Sequence, residues 1–411
     1  MKKLFIVGIA ALLLVVFTVP AMAKVKMGGI IFTDFYYLNR DSNNAQRYGV
    51  TSASDPTSYN VTAIQLPSIT RLNGRWTNED NVGMFIELGI GQTGGGIDGG
   101  NDSGATLRHA YGWWDVTPAF QIMAGKSTTP FSPLNPSQMI GTRSGSVNII
   151  GVGYGNFYAG RFAQVRGTFK FGKIGRVAIA LVDPNGKLSI GSNPVTPVTL
   201  GTNNTKIPRI DVGVPLYFGP VSVYPSFCYQ YQSYDGTQVG GAQVDNNVTS
   251  WIGSLGAKAG FGGFGIAVEG NIGQNWANMR GLFGGSPSAN FSIGNSAPIS
   301  GAILDNNNSI QNADVWAYWV DLSYKFGVVT PHLLWGQQRA KNVWAGTSDD
   351  VQITTRMVGV SIPIDLAKGF RIRPEFMWYD DGETDSANPA TGTKTDFGSY
   401  GLYGVQFQIT F

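Results

Sequence analysis

The last nine residues, YGVQFQITF (403–411), alternate with a strict period of two. Tyr403, Val405, Phe407, Ile409 and Phe411 are apolar, while Gly404, Gln406, Gln408 and Thr410 are small or polar and carry no charge. Successive side chains of an extended strand point to opposite faces, so this segment has one oily face and one wet face. A soluble sheet would turn the oily face to a core. An uncharged polar face and a final aromatic residue fit a strand with lipid on one side and water on the other.

Working back from this segment, the same pattern recurs often enough to count sixteen strands, each about long enough to cross a bilayer when tilted. The expected strands are Met27–Leu38, Gln65–Trp76, Val82–Gly91, Ala105–Val116, Phe120–Lys126, Arg161–Phe171, Arg176–Asp183 and Pro208–Phe218. They continue with Val221–Tyr234, Val248–Gly260, Phe264–Gln274, Asp314–Phe326, Val329–Arg339, Val351–Ile362, Phe370–Asp380 and Gly398–Phe411. Connections after even strands are brief, from Gly219–Pro220 to Pro363–Gly369, whereas those after odd strands run from 11 residues (340–350) to 39 (275–313). Short turns at one end and long loops at the other are the asymmetry of an outer-membrane barrel. Trp76, Phe120, Phe171, Phe218, Phe326, Phe370 and Phe411 gather at the turn end, where aromatic rings meet the headgroups. The expected fold is an all-β transmembrane antiparallel barrel.

Composition excludes other classes. Of 411 residues only 13% are charged, 56 are Gly and 12% are aromatic. A net charge of +3 is too small for a nucleic-acid surface. One Cys (Cys228) and two His (His109, His332) exclude disulfide frameworks and zinc clusters, and no cofactor or metal is expected. Residues 1–23 read as a cleaved export leader: Lys2 and Lys3, an apolar run from Leu4 to Val19, then Ala21-Met22-Ala23. The remainder, 24–411, is expected to form a single domain.

Charges should face the bore, because a Lys or Arg facing lipid at mid-depth costs about 2 to 4 kcal/mol. Alternation aligns Arg71 with Arg75, and Arg166 with Lys170; Arg108 on the fourth strand and Arg371, Arg373 and Glu375 on the fifteenth join them on the inward face. Glu87 and Asp34 are the expected acidic counterparts. From Asp115 to Asp183 no acid intervenes, yet Lys126, Arg143, Arg161, Arg166, Lys170, Lys173 and Arg176 do. This stretch holds the loop opened by GKSTTPFSPLNP (125–136), stiffened by three prolines and carrying Phe131, Leu134, Met139, Ile149 and Ile150. Folding into the bore would bury those side chains and constrict the channel; the competing arrangement caps the rim or meets a neighbouring subunit.

On the leader, the strand number, Phe411 with its alternating neighbours and the long loop after the fifth strand, the chain resembles the sixteen-stranded bacterial outer-membrane porins. The resemblance implies an inward constriction loop, a homotrimer, a terminal aromatic read by the outer-membrane assembly machinery, and contact with outer-membrane lipid and lipopolysaccharide. In typical cation-preferring members the inward loop is acidic, whereas this one has no acid. The expected function is therefore passive diffusion of small hydrophilic solutes and ions with mild anion preference. The residues expected to line the pore or its constriction are Arg71, Arg75, Glu87, Arg108, Lys126, Arg143, Arg166 and Lys170. A competing reading pairs these cations with Glu87, Asp34 or lipid phosphates, so that they select nothing.

Two functional alternatives stand beside diffusion: a substrate-specific channel for phosphate, organic acids or sugars, and a sleeve holding a partner protein. Trp251, Trp276, Trp316, Trp319, Trp335, Trp344 and Trp378 are numerous enough for a sugar track. The glycine-rich stretches 91–100 and 151–160 read as surface loops, since neither opens a phosphate-binding helix. Asp380, Asp381, Glu383 and Asp385 read as a solvated tip. No Ser–His pairing is legible, so an enzyme is not expected.

Overall fold

The computed structural model describes residues 24–47, 59–67, 69–90, 105–141, 149–158, 160–184, 198–199, 202–203, 205, 207–235, 238–239, 242–243, 247–279, 299–304, 309–344, 347–389 and 391–411. The leader, Arg143 and the glycine-rich run 91–100 lie outside these residues.

Sixteen antiparallel strands close into one barrel. They are β1 (Lys24–Arg40), β2 (Tyr59–Gln65 continued by Arg71–Thr77), β3 (Val82–Gly89), β4 (Thr106–Thr117), β5 (Phe120–Thr128), β6 (Arg161–Phe171) and β7 (Gly175–Val182). Next come β8 (Thr202–Asn203, Arg209–Gly213 and Leu216–Phe218), β9 (Val221–Asp235), β10 (Asn247–Phe261), β11 (Phe264–Gln274) and β12 (Asp314–Tyr324). The last are β13 (His332–Val343), β14 (Asp350–Ser361 continued by Ile364–Ala367), β15 (Phe370–Asp380) and β16 (Ser399–Thr410). Each strand pairs with its neighbour in sequence, and β16 returns to β1 in a register running from Ile30 opposite Thr410 to Arg40 opposite Tyr400. Closure pairs the two edges that an open sheet would leave bare.

Three strands are interrupted, and proline is the shared cause. The second strand, expected as one run, Gln65–Trp76, breaks at Pro67, and the eighth, expected as Pro208–Phe218, breaks at Pro215; the fourteenth, expected to end at Ile362, resumes beyond Pro363 as Ile364–Ala367. Proline has no N–H to give the ladder. At the first gap the Thr70 hydroxyl replaces the missing backbone, accepting from Phe32 N at 3.1 Å and donating to Phe32 O at 3.2 Å. Beside the other two gaps sit Pro225 and Pro374, whose carbonyls accept from Val214 N and Ile362 N, both at 2.9 Å. Those prolines need no acceptor of their own, so strand and gap fit together.

Turns are short at one end. Gly262 and Gly263 join β10 to β11 with φ of 55° and 91°, a left-handed pair that suits a two-residue hairpin, and Phe261 pairs with Phe264 across it. The outer surface is apolar: Ile64, Leu255, Ile272, Leu333 and Phe376 are exposed along the strands. Phe171, Phe218, Phe326 and Phe411 are exposed at the turn end. Among the described residues no helix is long and apolar enough to cross a membrane. Exposed apolar area on this scale is stable only against another apolar phase. Leu255, midway along β10 and 59% exposed, offers a test. Leu255→Arg is expected to lower stability in lipid vesicles by about 2 to 4 kcal/mol in denaturant titration, and an unchanged midpoint would contradict a lipid-facing exterior.

Candidate pore constriction

The loop after β5 folds into the barrel and lies along the inner wall. Its path can be followed by the backbone it touches. The Pro130 carbonyl approaches Gly213 on β8, Ser132 N donates to Ser226 Oγ on β9 at 3.0 Å, and Leu134 packs over Gly256 on β10. Ser137 N reaches Asp321 on β12, and Met139 and Ile140 reach Glu375 on β15. The Gly141 carbonyl accepts from Gln65 on β2 at 2.5 Å. The returning limb, 149–158, seats Tyr154 against Tyr379 and Tyr400, with its hydroxyl 2.6 Å from Asp381.

Two glycines make this seating possible. A Cβ on Gly155 would stand 2.2 Å from the Tyr318 carbonyl, and one on Gly336 would stand 2.0 Å from the Tyr154 carbonyl. Glycine lets loop and wall backbones touch. The stretch GVGYGNFYAG (151–160) is therefore not the surface loop that its glycines suggest: Val152, Tyr154, Asn156 and Phe157 are buried inside the barrel.

Three carboxylates of the far wall hold the loop. Glu269 accepts from Ser132 Oγ at 2.7 Å, Asp321 from Ser137 N at 2.9 Å, and Glu375 from Met139 N and Ile140 N at 2.8 to 3.1 Å. Asp321 also meets His332 Nδ1 at 2.7 Å. These acids are 1%, 6% and 0% exposed. Asp34 is buried too, and bonds Gln65 and Gln406 instead of the basic wall opposite. A second inward segment, Trp276 to Met279 with Ile299 and Ile303, packs against Phe131 and Phe157 and fills more of the same side.

The opposite wall, β2 to β7, remains facing the bore. Glu87 receives Arg108 Nε at 2.8 Å and Arg71 Nε at 3.3 Å. Arg108 gets there through a β-bulge. The register steps from Glu87 opposite His109 to Leu88 opposite Leu107, so Arg108 is left over and turns to the same side as His109. Leu107, which strict alternation would put on the face of His109, is outward and exposed for the same reason. Arg75 stacks on Trp113 at 4.5 Å, and Lys170 meets Asp115 at 3.0 Å. Arg166 donates to the Thr128 carbonyl and to the Met123 sulfur. Lys126 departs from the expected lining: it pairs with Ala110 and Ala163, on the face that carries Val165 and Phe169, and its amine bonds the Leu107 carbonyl.

Sequence reasoning counted Arg161 among the cations but missed its contact with His109, whose Nε2 accepts from Arg161 Nε at 2.9 Å; it placed Glu375 inward but missed the other two anchoring acids, Glu269 and Asp321. Mid-strand carboxylates in phase with inward neighbours were the available signal for the latter. It also missed Ser127 Oγ, 3.4 Å from His109 Nδ1. Arg161 must donate to Nε2, which leaves the ring proton on Nδ1, so His109 donates to Ser127 and does not activate it as a nucleophile. The tryptophans form no track. Trp276, Trp319 and Trp344 are buried, while Trp335 and Trp378 are exposed on the outer face. The acidic tip is only partly solvated, since Asp381 is buried against Tyr154 and Asn44.

Releasing an anchor should open the bore. Glu375→Ala strands the Met139 and Ile140 amides, a loss of about 1.5 to 3 kcal/mol per charged hydrogen bond. Larger and noisier single-channel currents are expected, and wild-type conductance with wild-type noise would contradict this anchoring.

No family model and no curated protein matches the chain. Solved structures do. The outer membrane channel DcaP of Acinetobacter baumannii superposes with a TM-score of 0.62 at 17% identity, covering 96% of this chain and 99% of that one. An anion-selective porin from Comamonas acidovorans gives 0.58 at 14% identity, covering 95% and 100%. A loop-deletion mutant of OmpT, an outer membrane protein of Vibrio cholerae, gives 0.56 at 12%, covering 95% and 100%. At these identities the likeness is one of fold, and it agrees with the closed barrel: the chain has the sixteen-stranded fold of Gram-negative outer-membrane porins.

Proposed function

We propose that the chain is a bacterial outer-membrane channel for passive diffusion of small hydrophilic solutes and ions, with a mild preference for anions. One observation carries the preference. The acids of the far wall are spent on the loop, whereas the strands β2 to β7, apart from the outward Lys126, bring seven cations, Arg71, Arg75, Arg108, Arg161, Arg166, Lys170 and Arg176, against two acids, Glu87 and Asp115. Pairing with Glu87 offsets part of that charge and leaves a surplus. A basic constriction lowers the energy of a passing anion, and screening over about 8 to 10 Å in physiological salt keeps the effect mild. The anion-selective description of the similar Comamonas acidovorans structure agrees with this reading.

A sugar track loses its support with the tryptophans dispersed. A sleeve for a partner protein is disfavoured because the chain's own loops already occupy the side of the bore lined by β8 to β15. The leader 1–23 is cleaved, the mature barrel assembles as a homotrimer, and Phe411 is read by the assembly machinery. The trimer form of OmpT of Vibrio cholerae, of similar fold, is consistent with that assembly. Contact with lipopolysaccharide follows from the apolar outer band.

Reversal potentials across planar bilayers under a KCl gradient test the selectivity. Anion preference is expected in the wild type, and Arg75→Glu combined with Arg166→Glu should shift the potential towards cations. Cation preference in the wild type would refute the proposal. Mass spectrometry of the purified product should begin at Lys24, and conductance steps in threes should accompany the trimer.

A further inference from the structure

The inward faces of β3 and β4 carry a patch of rings that diffusion of small ions does not require. Phe85 lies 5.6 Å from Tyr111 and 5.7 Å from His109, and Tyr111 lies 6.0 Å from Trp113. Trp113 lies against Gly83, where an added Cβ would stand 2.2 Å from the indole, and Arg75 stacks over the same ring at 4.5 Å. Phe85 and Tyr111 are only half-buried and keep surface towards the bore. Beside Tyr111 the wall steps back. Its register partner on β5 is Gly125, and the next across is Gln164 on β6. A side-chain-free position thus separates the phenol ring from β6.

Arg166 stands at the far side of that step with its donors underused. One terminal nitrogen donates to the Met123 sulfur, a weak acceptor, another lies 3.3 Å from the Thr128 carbonyl, and the buried Nε has no partner. Among the described residues neither Arg166 nor Arg75 has a carboxylate partner, although Glu87 and Asp115 serve their neighbours. A wall built only for packing would match a buried guanidinium with an acceptor. Unspent guanidinium donors next to half-open ring faces complement a ligand with an acceptor group at one end and a flat apolar body behind it.

We infer that Tyr111, Phe85, Arg75 and Arg166 form a binding site for aromatic carboxylates in transit, with the carboxylate on the guanidinium groups and the ring against Tyr111. The inference rests on the channel reading above and adds a substrate class to it. Stacking is available to any ring, but only the anion also takes up the Arg166 donors. Benzoate therefore binds, while acetate lacks the ring and benzyl alcohol lacks the charge.

The probe is benzoate on the full-length mature protein. In planar bilayers benzoate should interrupt the KCl current with saturable, millisecond blocks, whereas acetate and benzyl alcohol at equal concentration should not. Tyr111→Ala and Arg166→Gln should each weaken the block roughly fivefold to tenfold, the size of one aromatic or charged contact. Tyr111→Phe should retain it, and Trp335→Ala on the outer face serves as the control. Should Tyr111→Ala fail to assemble, Phe85→Leu supplies the same comparison. Saturation-transfer NMR of benzoate on the detergent-solubilised barrel reads binding without conduction. A cation-selective channel that still binds benzoate through Tyr111 would sink the diffusion preference alone. An anion-selective channel that treats benzoate and acetate alike would overturn this site alone.

Discussion

Every feature of the molecule depends on pairing backbone groups in a medium without water. In hydrocarbon an unpaired N–H or C=O costs several kcal/mol, so a sheet can span the membrane only by closing on itself. The antiparallel register of β1 with β16 supplies that closure. Once the cylinder is closed, period-two alternation sorts side chains without further instruction. Leu255 and Ile272 go to lipid, and Glu269, Asp321 and Arg166 go inward. Proline is tolerated only where a gap, a neighbouring carbonyl or the Thr70 hydroxyl takes over its share of the ladder.

A cylinder of sixteen strands would be wide and wet, and the molecule spends much of its interior narrowing it. The narrowing is asymmetric. Loop backbone covers the wall from β8 to β15, and the acids there become acceptors for loop amides and hydroxyls. What is left facing the bore on the other side is mainly guanidinium and ring. Charge selectivity in such a design comes from which wall is covered as much as from which residues are present, since the whole chain carries nearly balanced charge. The same covering leaves the rings of Phe85 and Tyr111 as the half-open apolar surface on the basic side.

Glycine does separate work in the barrel and in the loop. In the hairpin at Gly262 and Gly263 it supplies left-handed backbone, and at Gly155 and Gly336 it removes the Cβ that would keep loop from wall. Substituting the second kind should leave the barrel intact and lift the loop. Barrel stability and pore width are thereby separable properties of one chain.

The sequence by itself determined the class of fold, the number and order of strands and the end at which the turns lie. Those follow from local alternation and from turn residues a few positions apart, as YGVQFQITF (403–411) already displays. It also made the inward fate of the long loop legible, through its prolines and its apolar side chains. Tertiary structure alone decided the rest. The bulge that brings Arg108 to Glu87, the outward turn of Lys126, the pairing of Glu375 with a loop more than two hundred residues earlier and the burial of GVGYG (151–155) depend on register and contacts between distant segments. A one-residue shift in pairing reverses which face a side chain occupies, and alternation read along a single strand cannot register such a shift.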